Sequence, residues 1–281
     1  MLNDTCILVY TNESYQPIAD LSIGEFDRFF PENPIKRYVV SNSFKEYEFK
    51  NKNSVFIDTQ TQFDGMGGHF GRTMRSALSS IEEDYIIFFC DDYMLIDKPN
   101  LNYLVELMNI IRRDGIDYFS FASNRPKPDW VKYDATFEGI PNRFFYHIPE
   151  DFQYRHSVQP CVWKKSSLLE LLKYNAEIPL HHLDTTNIMN REGYYRHFNP
   201  LTATWGPFPN GTQGFGFKCV CTDYEGFDEL FNYEYFIFPY IEIIRHGFFN
   251  MWQETNTKRF LQRFIEERKI NEDIHLKKFI A

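Results

Sequence analysis

The chain has 281 residues, of which 43% are hydrophobic, so it is long and apolar enough for one large α/β domain or two small ones. Its net charge is −9, and its Lys and Arg residues are scattered rather than gathered on a basic face, which argues against a nucleic-acid binder. The five cysteines are odd in number and show no CxxC spacing, so neither a disulfide framework nor a zinc knuckle is expected.

The sequence pattern shows no targeting or membrane signal. The first residues lack the basic segment and long apolar run of a signal peptide, and no stretch approaches about 18 uninterrupted apolar residues. We therefore expect reduced thiols, no transmembrane segment and a cytoplasmic location.

Predicted strands and helices alternate over residues 1–123. Apolar runs bounded by turn residues predict the strands, and apolar residues at helical spacing predict the helices. This alternation predicts an α/β fold with a mostly parallel sheet flanked by helices. The predicted elements, in chain order, are strand Cys6–Tyr10, helix Leu21–Phe30, strands Arg37–Val40 and Ser54–Ile57, helix Arg72–Ile81, the strand that runs from Tyr85 to Asp91, helix Leu101–Arg113 and strand Tyr118–Ala122.

The segment Asp64–Gly71 contains four glycines and predicts a flexible loop. It lacks the spacing of a dinucleotide fingerprint and the Gly-Lys-Ser/Thr ending of a P-loop. Two interpretations stay open, a mobile connector and a loop that covers a ligand.

The regular alternation ends after Ser123. Residues 124–155 are rich in proline and aromatic residues and predict irregular structure, and glycines and prolines make residues 206–216 a long loop. No change of composition indicates a linker between two domains. The elements predicted in this half are strand Ser157–Trp163, helix Ser166–Tyr174, an apolar segment Phe236–Gly247 and helix Thr257–Ile270.

The most informative feature is the apolar run that leads from Tyr85 into two adjacent acids, Asp91 and Asp92. A continuous apolar run predicts a strand buried on both faces, and ligands of open α/β sheets bind beyond the carboxyl ends of the strands. Two carboxylates there repel each other unless a cation lies beside them, and a divalent cation bridging to phosphate oxygens is a common solution. The alternative is that the two acids only begin a turn or cap a helix.

The order of these segments resembles that of the GT-A glycosyltransferases, which carry a DxD-type motif after such a strand. Three pieces resemble a bacterial and viral group of that family: the strand ending in Asp-Asp-Tyr, the segment Tyr154–Leu169 and the segment Ile241–Gly247. The resemblance covers roughly residues 5–250. It implies a GT-A-like, Rossmann-type, mostly parallel sheet flanked by helices, with an irregular acceptor-side half.

The resemblance also implies a single domain that spans residues 1–281 and consists of three parts. Residues 1–123 would form the nucleotide-sugar half, residues 124–255 the acceptor half and residues 256–281 a C-terminal helix. The implied activity is transfer of a sugar from a nucleotide-diphosphate sugar, a UDP-sugar by expectation, to a glycan or other hydroxyl acceptor.

The family's metal ligands map onto Asp92 and His246, which would hold Mn²⁺ or Mg²⁺. Asp91 would hold the ribose or a water bound to the metal. The chain departs from the family at Cys90, which stands where a DxD motif has its first acid. This departure puts the affinity for the metal in question, but not the location of the site.

The nucleotide would contact residues at the ends of the first two strands, and the diphosphate would pair with a bidentate arginine. Strand-end turns and a surface ion pair are the structural alternatives for these side chains. The residues are Thr11, Asn12, Glu13, Ser41, Asn42 and Arg72.

On the acceptor side, inverting members of the family use an acid as general base. Asp184 is the first candidate, with a helix cap as its alternative, and Glu177 is the second. Gln159 and Trp163 would shape the acceptor pocket, although Trp163 is also a good candidate for the core.

Three other functions compete with transfer. A sugar nucleotidyltransferase normally has a glycine-rich, basic loop after the first strand, and Thr11–Pro17 contains no Gly, Lys or Arg. A non-catalytic glycan-binding or scaffold protein of the same fold remains open because of Cys90. A metal-dependent phosphoesterase requires a denser cluster of His and Asp ligands than this sequence offers.

Overall fold

The computed structural model describes residues 2–44, 47–51, 53–61, 66–121, 131–133, 145–149, 160–176, 218–222, 239–245, 248–249 and 255–280. The strands are β1 Thr5–Tyr10, β2 Lys36–Ser41, β3 Val55–Asp58, β4 Tyr85–Cys90, β5 Tyr93–Leu95, β6 Tyr118–Ser120, β7 Lys132–Tyr133, β8 Phe145–His147, β9 Cys161–Lys164, β10 Cys219–Thr222, β11 Tyr240–Glu242, β12 Ile244–Arg245 and β13 Phe248–Phe249. The α-helices are α1 Gln16–Phe29, α2 Met66–Ser80, α3 Leu101–Asp114, α4 Lys165–Ala176 and α5 Thr255–Glu267.

Nine of the described strands form one mixed sheet in the order β3-β2-β1-β4-β9-β6-β10-β8-β7. All of them run in the same direction except β8 and β9, which are antiparallel to their neighbours. The predicted α/β class, a mostly parallel sheet with flanking helices, is therefore confirmed. Two short antiparallel pairs, β5 with β11 and β12 with β13, lie outside this sheet.

The direction in which strands are added reverses at β1. From β1 the chain passes through α1 to β2 and then β3 on one side, and α2 returns it to β4 on the other side. The parallel register places Tyr10 of β1 beside Cys90 of β4, so the carboxyl ends of these strands are neighbours. Such a reversal opens the crevice in which open α/β sheets bind their ligands.

Strand β4 is buried on both faces, as its continuous apolar run predicted. Ile86 and Phe88 pack with α2 and α4 on one face, whereas Ile87 and Phe89 pack with Phe26 of α1 and with α3 on the other. Complete burial of a side chain of this size contributes about 1.5–3 kcal/mol. The strand therefore anchors the acids that follow it.

Capping residues and a proline determine where two of the helices begin and end. Asn100 caps α3, and Gly115 ends it in the left-handed conformation with φ of 62°. Helix α1 begins at Gln16, one turn before the predicted Leu21, because Pro17 fits the first turn of a helix, where no amide donor is needed.

The predicted glycine loop is wrong over its second part. Helix α2 begins at Met66, so Gly67, Gly68 and Gly71 lie within the helix. An apolar helix face that includes Phe70 packs against the sheet, and this tertiary packing outweighs the low helix propensity of glycine. Residues 62–65 lie outside the described residues.

The second half of the chain contributes to the same sheet. Strand β9 inserts between β4 and β6, and β10 pairs with β6. The final helix α5 ends at Glu267 rather than at Ile270, because Lys269 takes up a positive φ of 51° and starts a short 3₁₀ turn. Within the described residues, no helix is long and apolar enough to cross a membrane.

Candidate functional site

A hydrogen bond joins the end of β1 to the end of β4. The Thr11 hydroxyl donates to Oδ2 of Asp91 over 2.6 Å, and the Asp91 amide donates to the carbonyl of Tyr10 over 3.0 Å. The Thr11 amide in turn donates to the carbonyl of Val40 at the end of β2 over 2.9 Å. Three adjacent strands therefore determine where this carboxylate lies.

Burial makes the Asp91 carboxylate expensive to ionise. The residue is only 8% exposed, and this desolvation raises the pKa of Asp91 to about 7. The Thr11 hydroxyl and the amides of Asp91 and Asp92 favour the ionised form, but they offset only part of the effect. A nearby cation would favour ionisation further, and a perturbed acid at a strand end is typical of a functional site.

Asp92 lies at the same strand end, beside the segment that leads to His246. Its carbonyl accepts a hydrogen bond from the amide of Ile243 over 2.7 Å, and its Oδ1 atom is buried. The antiparallel pairing of β5 with β11 sets Glu242 opposite Tyr93 and so holds this segment in place. His246 itself lies outside the described residues, so its role as a ligand stays a prediction.

The predicted nucleotide-contacting residues of the first two strands come together in the structure. The Glu13 amide donates to Oδ1 of Asn42 over 3.2 Å, which joins the loop after β1 to the end of β2. Asn12 accepts a hydrogen bond from the Ser14 amide over 2.9 Å and shapes the same loop. Thr11, Ser41 and Asn42 are buried, whereas Glu13 is exposed.

Gln16 organises this corner and was missed in the sequence. Its amide nitrogen donates to the Ser41 hydroxyl over 3.2 Å and to the carbonyl of Ser43, so it ties the start of α1 to the end of β2. The side chain is fully buried, and its Oε1 atom has no hydrogen-bond partner among the residues that the structure describes. A polar residue directly before Pro17 was the available signal, because that position is the first turn of a helix.

Tyr15 is a second residue that the sequence did not reveal. Burial, and then the charges of Asp91 and Asp92, raise the pKa of this phenol. Its ring packs against Phe279, with ring centroids 5.3 Å apart. No local pattern predicts this contact, because the two residues are distant in the chain.

Two other predicted residues have different surroundings. Arg72 lies inside α2, two positions after Phe70. The ring of Phe70 packs against that of Tyr10 at the end of β1, with the ring centroids 4.8 Å apart. The pairing of Arg72 with a diphosphate stays a prediction. Trp163 is 3% exposed and packs against Tyr118 with ring centroids 4.6 Å apart, as the core alternative expects, and its role in an acceptor pocket stays a prediction.

The other predicted acceptor-side residues are Asp184, Glu177 and Gln159. All three lie outside the described residues, as does His246. Their roles therefore stay predictions.

The described donors fit a divalent cation that is shared with a phosphate ligand. Within the described ranges no group of three or more His, Cys, Asp or Glu side chains forms a metal cluster, so the acid pair offers one or two carboxylates. Mg²⁺ is commonly held by one or two carboxylates together with phosphate oxygens. Burial, and then the charges of Asp92 and Asp91, raise the pKa of the Cys90 thiol well above its usual value, so this side chain is neutral when no cation is bound.

Comparison with known proteins gives similarities to solved structures only, since no family model and no curated protein matches the chain. S. aureus TarS 1-349 is 13% identical with a TM-score of 0.38, covering 59% of this chain and 48% of that one. Its complex with UDP-GlcNAc is also 13% identical, with a TM-score of 0.37, and the match covers 59% of this chain and 46% of that one. The galactosyltransferase LgtC, in complex with donor and acceptor sugar analogues, is 10% identical with a TM-score of 0.36, and the match covers 70% of this chain and 68% of that one.

The chain therefore spans about half the length of the TarS 1-349 structures that it matches.

Proposed function

We propose that the chain is a glycosyltransferase that moves a sugar from a nucleoside-diphosphate sugar, specifically a UDP-sugar, to a glycan or other hydroxyl acceptor with the help of Mn²⁺ or Mg²⁺. The observation that supports this most is the 2.6 Å hydrogen bond between Thr11 and Asp91, with Asp92 next to it. It places an acid pair at the point where the strand order reverses, which is where such sheets bind nucleotides.

The nucleoside would lie along the ends of β1 and β2. There the buried Thr11, Ser41 and Asn42 lie next to the loop amides, and the Glu13 amide already meets the Asn42 side chain. Hydroxyls and amides of this kind can pair with the polar edge of a base or with a ribose. Gln16 stabilises this surface by donating hydrogen bonds to the Ser41 hydroxyl and the Ser43 carbonyl.

Asp92 would be the metal ligand, and Asp91 would accept hydrogen bonds from the ribose or from a metal-bound water. The ion, when bound, stabilises the negative charge that grows on the leaving diphosphate. The chain's contribution is to hold the Asp91 carboxylate through the Thr11 hydroxyl and the Asp91 backbone through the Tyr10 carbonyl, so that this acid need not reorganise during the reaction.

The rest of the reaction follows from the family resemblance. In an inverting transfer, the acceptor oxygen forms a bond to the anomeric carbon while the bond from that carbon to the diphosphate breaks. Asp184, or else Glu177, would take the proton of the acceptor hydroxyl. His246 would complete the metal shell, and Gln159 would contact the acceptor.

Calorimetric titration with UDP, GDP, CDP and dTDP, each with and without Mn²⁺, tests this proposal. We expect one of them, UDP, to bind tightly and only when the metal is present. Absence of binding under every condition would contradict the proposal and favour the non-catalytic scaffold alternative.

A further inference from the structure

The residues 273–280, called the 273–280 segment here, pack against the same corner of the sheet as the candidate site. Oδ2 of Asp273 accepts a hydrogen bond from Nζ of Lys50 over 3.0 Å. The ring of His275 packs against that of Tyr47, with the ring centroids 5.3 Å apart. Both partners belong to the loop after β2, so the segment is joined to that loop at its start.

Its end packs on the loop after β1. Phe279 is buried and lies against the ring of Tyr15 in that loop, with the two ring centroids 5.3 Å apart. The 273–280 segment therefore contacts the loop that follows Thr11, whose hydroxyl binds Asp91.

Lys278 reaches over the same loop. Its Nζ atom lies 3.3 Å from the carbonyl oxygen of Ser14, and its side chain is exposed. Ser14 in turn is held by Asn12, directly after Thr11. A hydrogen bond of this length at an exposed position is weak, so the ammonium can exchange it for a stronger acceptor at little cost.

The charge balance of the site calls for such a cation. Asp91, Asp92 and the exposed Glu13 are acidic, and a diphosphate adds more negative charge than one divalent ion neutralises. A lysine ammonium on a flexible stem is a suitable partner for phosphate oxygens, and pairs of this type become stronger when the phosphate is partly desolvated.

We propose that the 273–280 segment forms one wall of the nucleotide site and that Lys278 binds the diphosphate of the donor. This inference rests on the proposed function, because it assumes that the ligand is a nucleoside diphosphate. Lys277 is also exposed and belongs to the same 3₁₀ turn, so it provides a matched control for a change of charge.

The test compares Lys278→Met with Lys277→Met in Mn²⁺-containing buffer, using UDP and uridine as ligands in calorimetric titrations. We expect Lys278→Met to weaken UDP binding about tenfold and to leave uridine binding unchanged, because one charged hydrogen bond to phosphate is lost. Lys277→Met should leave both affinities unchanged, and Lys278→Arg should restore most of the UDP affinity.

Three results would overturn the inference, and they differ in whether they also reject the proposed function. Unchanged UDP affinity in Lys278→Met, with normal binding by the wild type, rejects the role of Lys278 alone. Equal losses for UDP and uridine assign Lys278 a structural role instead. A wild-type protein that binds no nucleotide rejects the proposed function together with this inference.

Discussion

Replacing Asp91 by asparagine should stabilise the protein at alkaline pH while removing its nucleotide binding. The substitution keeps an oxygen that can accept the Thr11 hydrogen bond but removes a buried charge. Because the folded pKa lies above the ordinary value, the folded wild type holds this proton more tightly than the unfolded chain does. That contribution to stability is complete below the ordinary pKa and is lost as the pH rises through about 7.

The size of the effect follows from the rise of the Asp91 pKa from 3.8 to about 7. At about 1.4 kcal/mol per pKa unit, the full cost of ionising the buried acid is about 4 kcal/mol. Between pH 5 and pH 8 the variant should gain roughly 2 to 3 kcal/mol relative to the wild type. Any cost of burying the new amide is the same at both pH values and cancels from this difference.

Thermal unfolding of both proteins in the presence of a chelator, measured from pH 5 to pH 8, would detect this gain. For a chain of this size it corresponds to a relative increase in Tm of roughly 5 °C or more across the range. Glu13→Gln is the control, since it removes an exposed carboxylate at the same site. If the difference in Tm between Asp91→Asn and the wild type stays constant with pH, the ionised Asp91 carboxylate does not destabilise the fold.

Three further changes test other parts of the account. Thr11→Val should weaken Mn²⁺-dependent UDP binding about tenfold, because it removes the hydroxyl that favours ionised Asp91, whereas Thr11→Ser should bind almost normally in the same titration. Gly115→Ala should lower the free energy of unfolding in denaturant titrations by about 1 kcal/mol, since its φ of 62° is unfavourable for a residue with a Cβ; an unchanged value would contradict this. Asp184→Asn should bind the donor but fail to transfer the sugar in a product assay, and near-normal transfer would reject Asp184 as the base.

The sequence predicted the parts of the fold that depend on local pattern. The apolar run before Asp91 is a strand buried on both faces, and Gly115 ends α3 as expected. The acid pair follows β4 directly, as predicted from the point at which the apolar run stops. Thr11 was predicted from its position at the end of β1 alone, and its contact with Asp91 is a finding of the structure.

Other features depend on contacts that no local pattern contains. The pairing of Tyr15 with Phe279 and the reach of Lys278 to Ser14 join residues at opposite ends of the chain. The start of α2 was misjudged because glycine propensity is a weak guide once an apolar helix face packs on a sheet. Trp163 illustrates the same limit, since an aromatic residue suits both a sugar-binding surface and a core.

The most direct test of the central claim is a calorimetric titration of Asp92→Ala with UDP in the presence of Mn²⁺. Asp84→Ala is its matched control, because Asp84 is an exposed acid that precedes the other end of β4. We expect Asp92→Ala to lose metal-dependent UDP binding while it unfolds at an unchanged temperature, and Asp84→Ala to bind normally. Unchanged Mn²⁺-dependent binding by Asp92→Ala would contradict the assignment of the acid pair as the metal and nucleotide site.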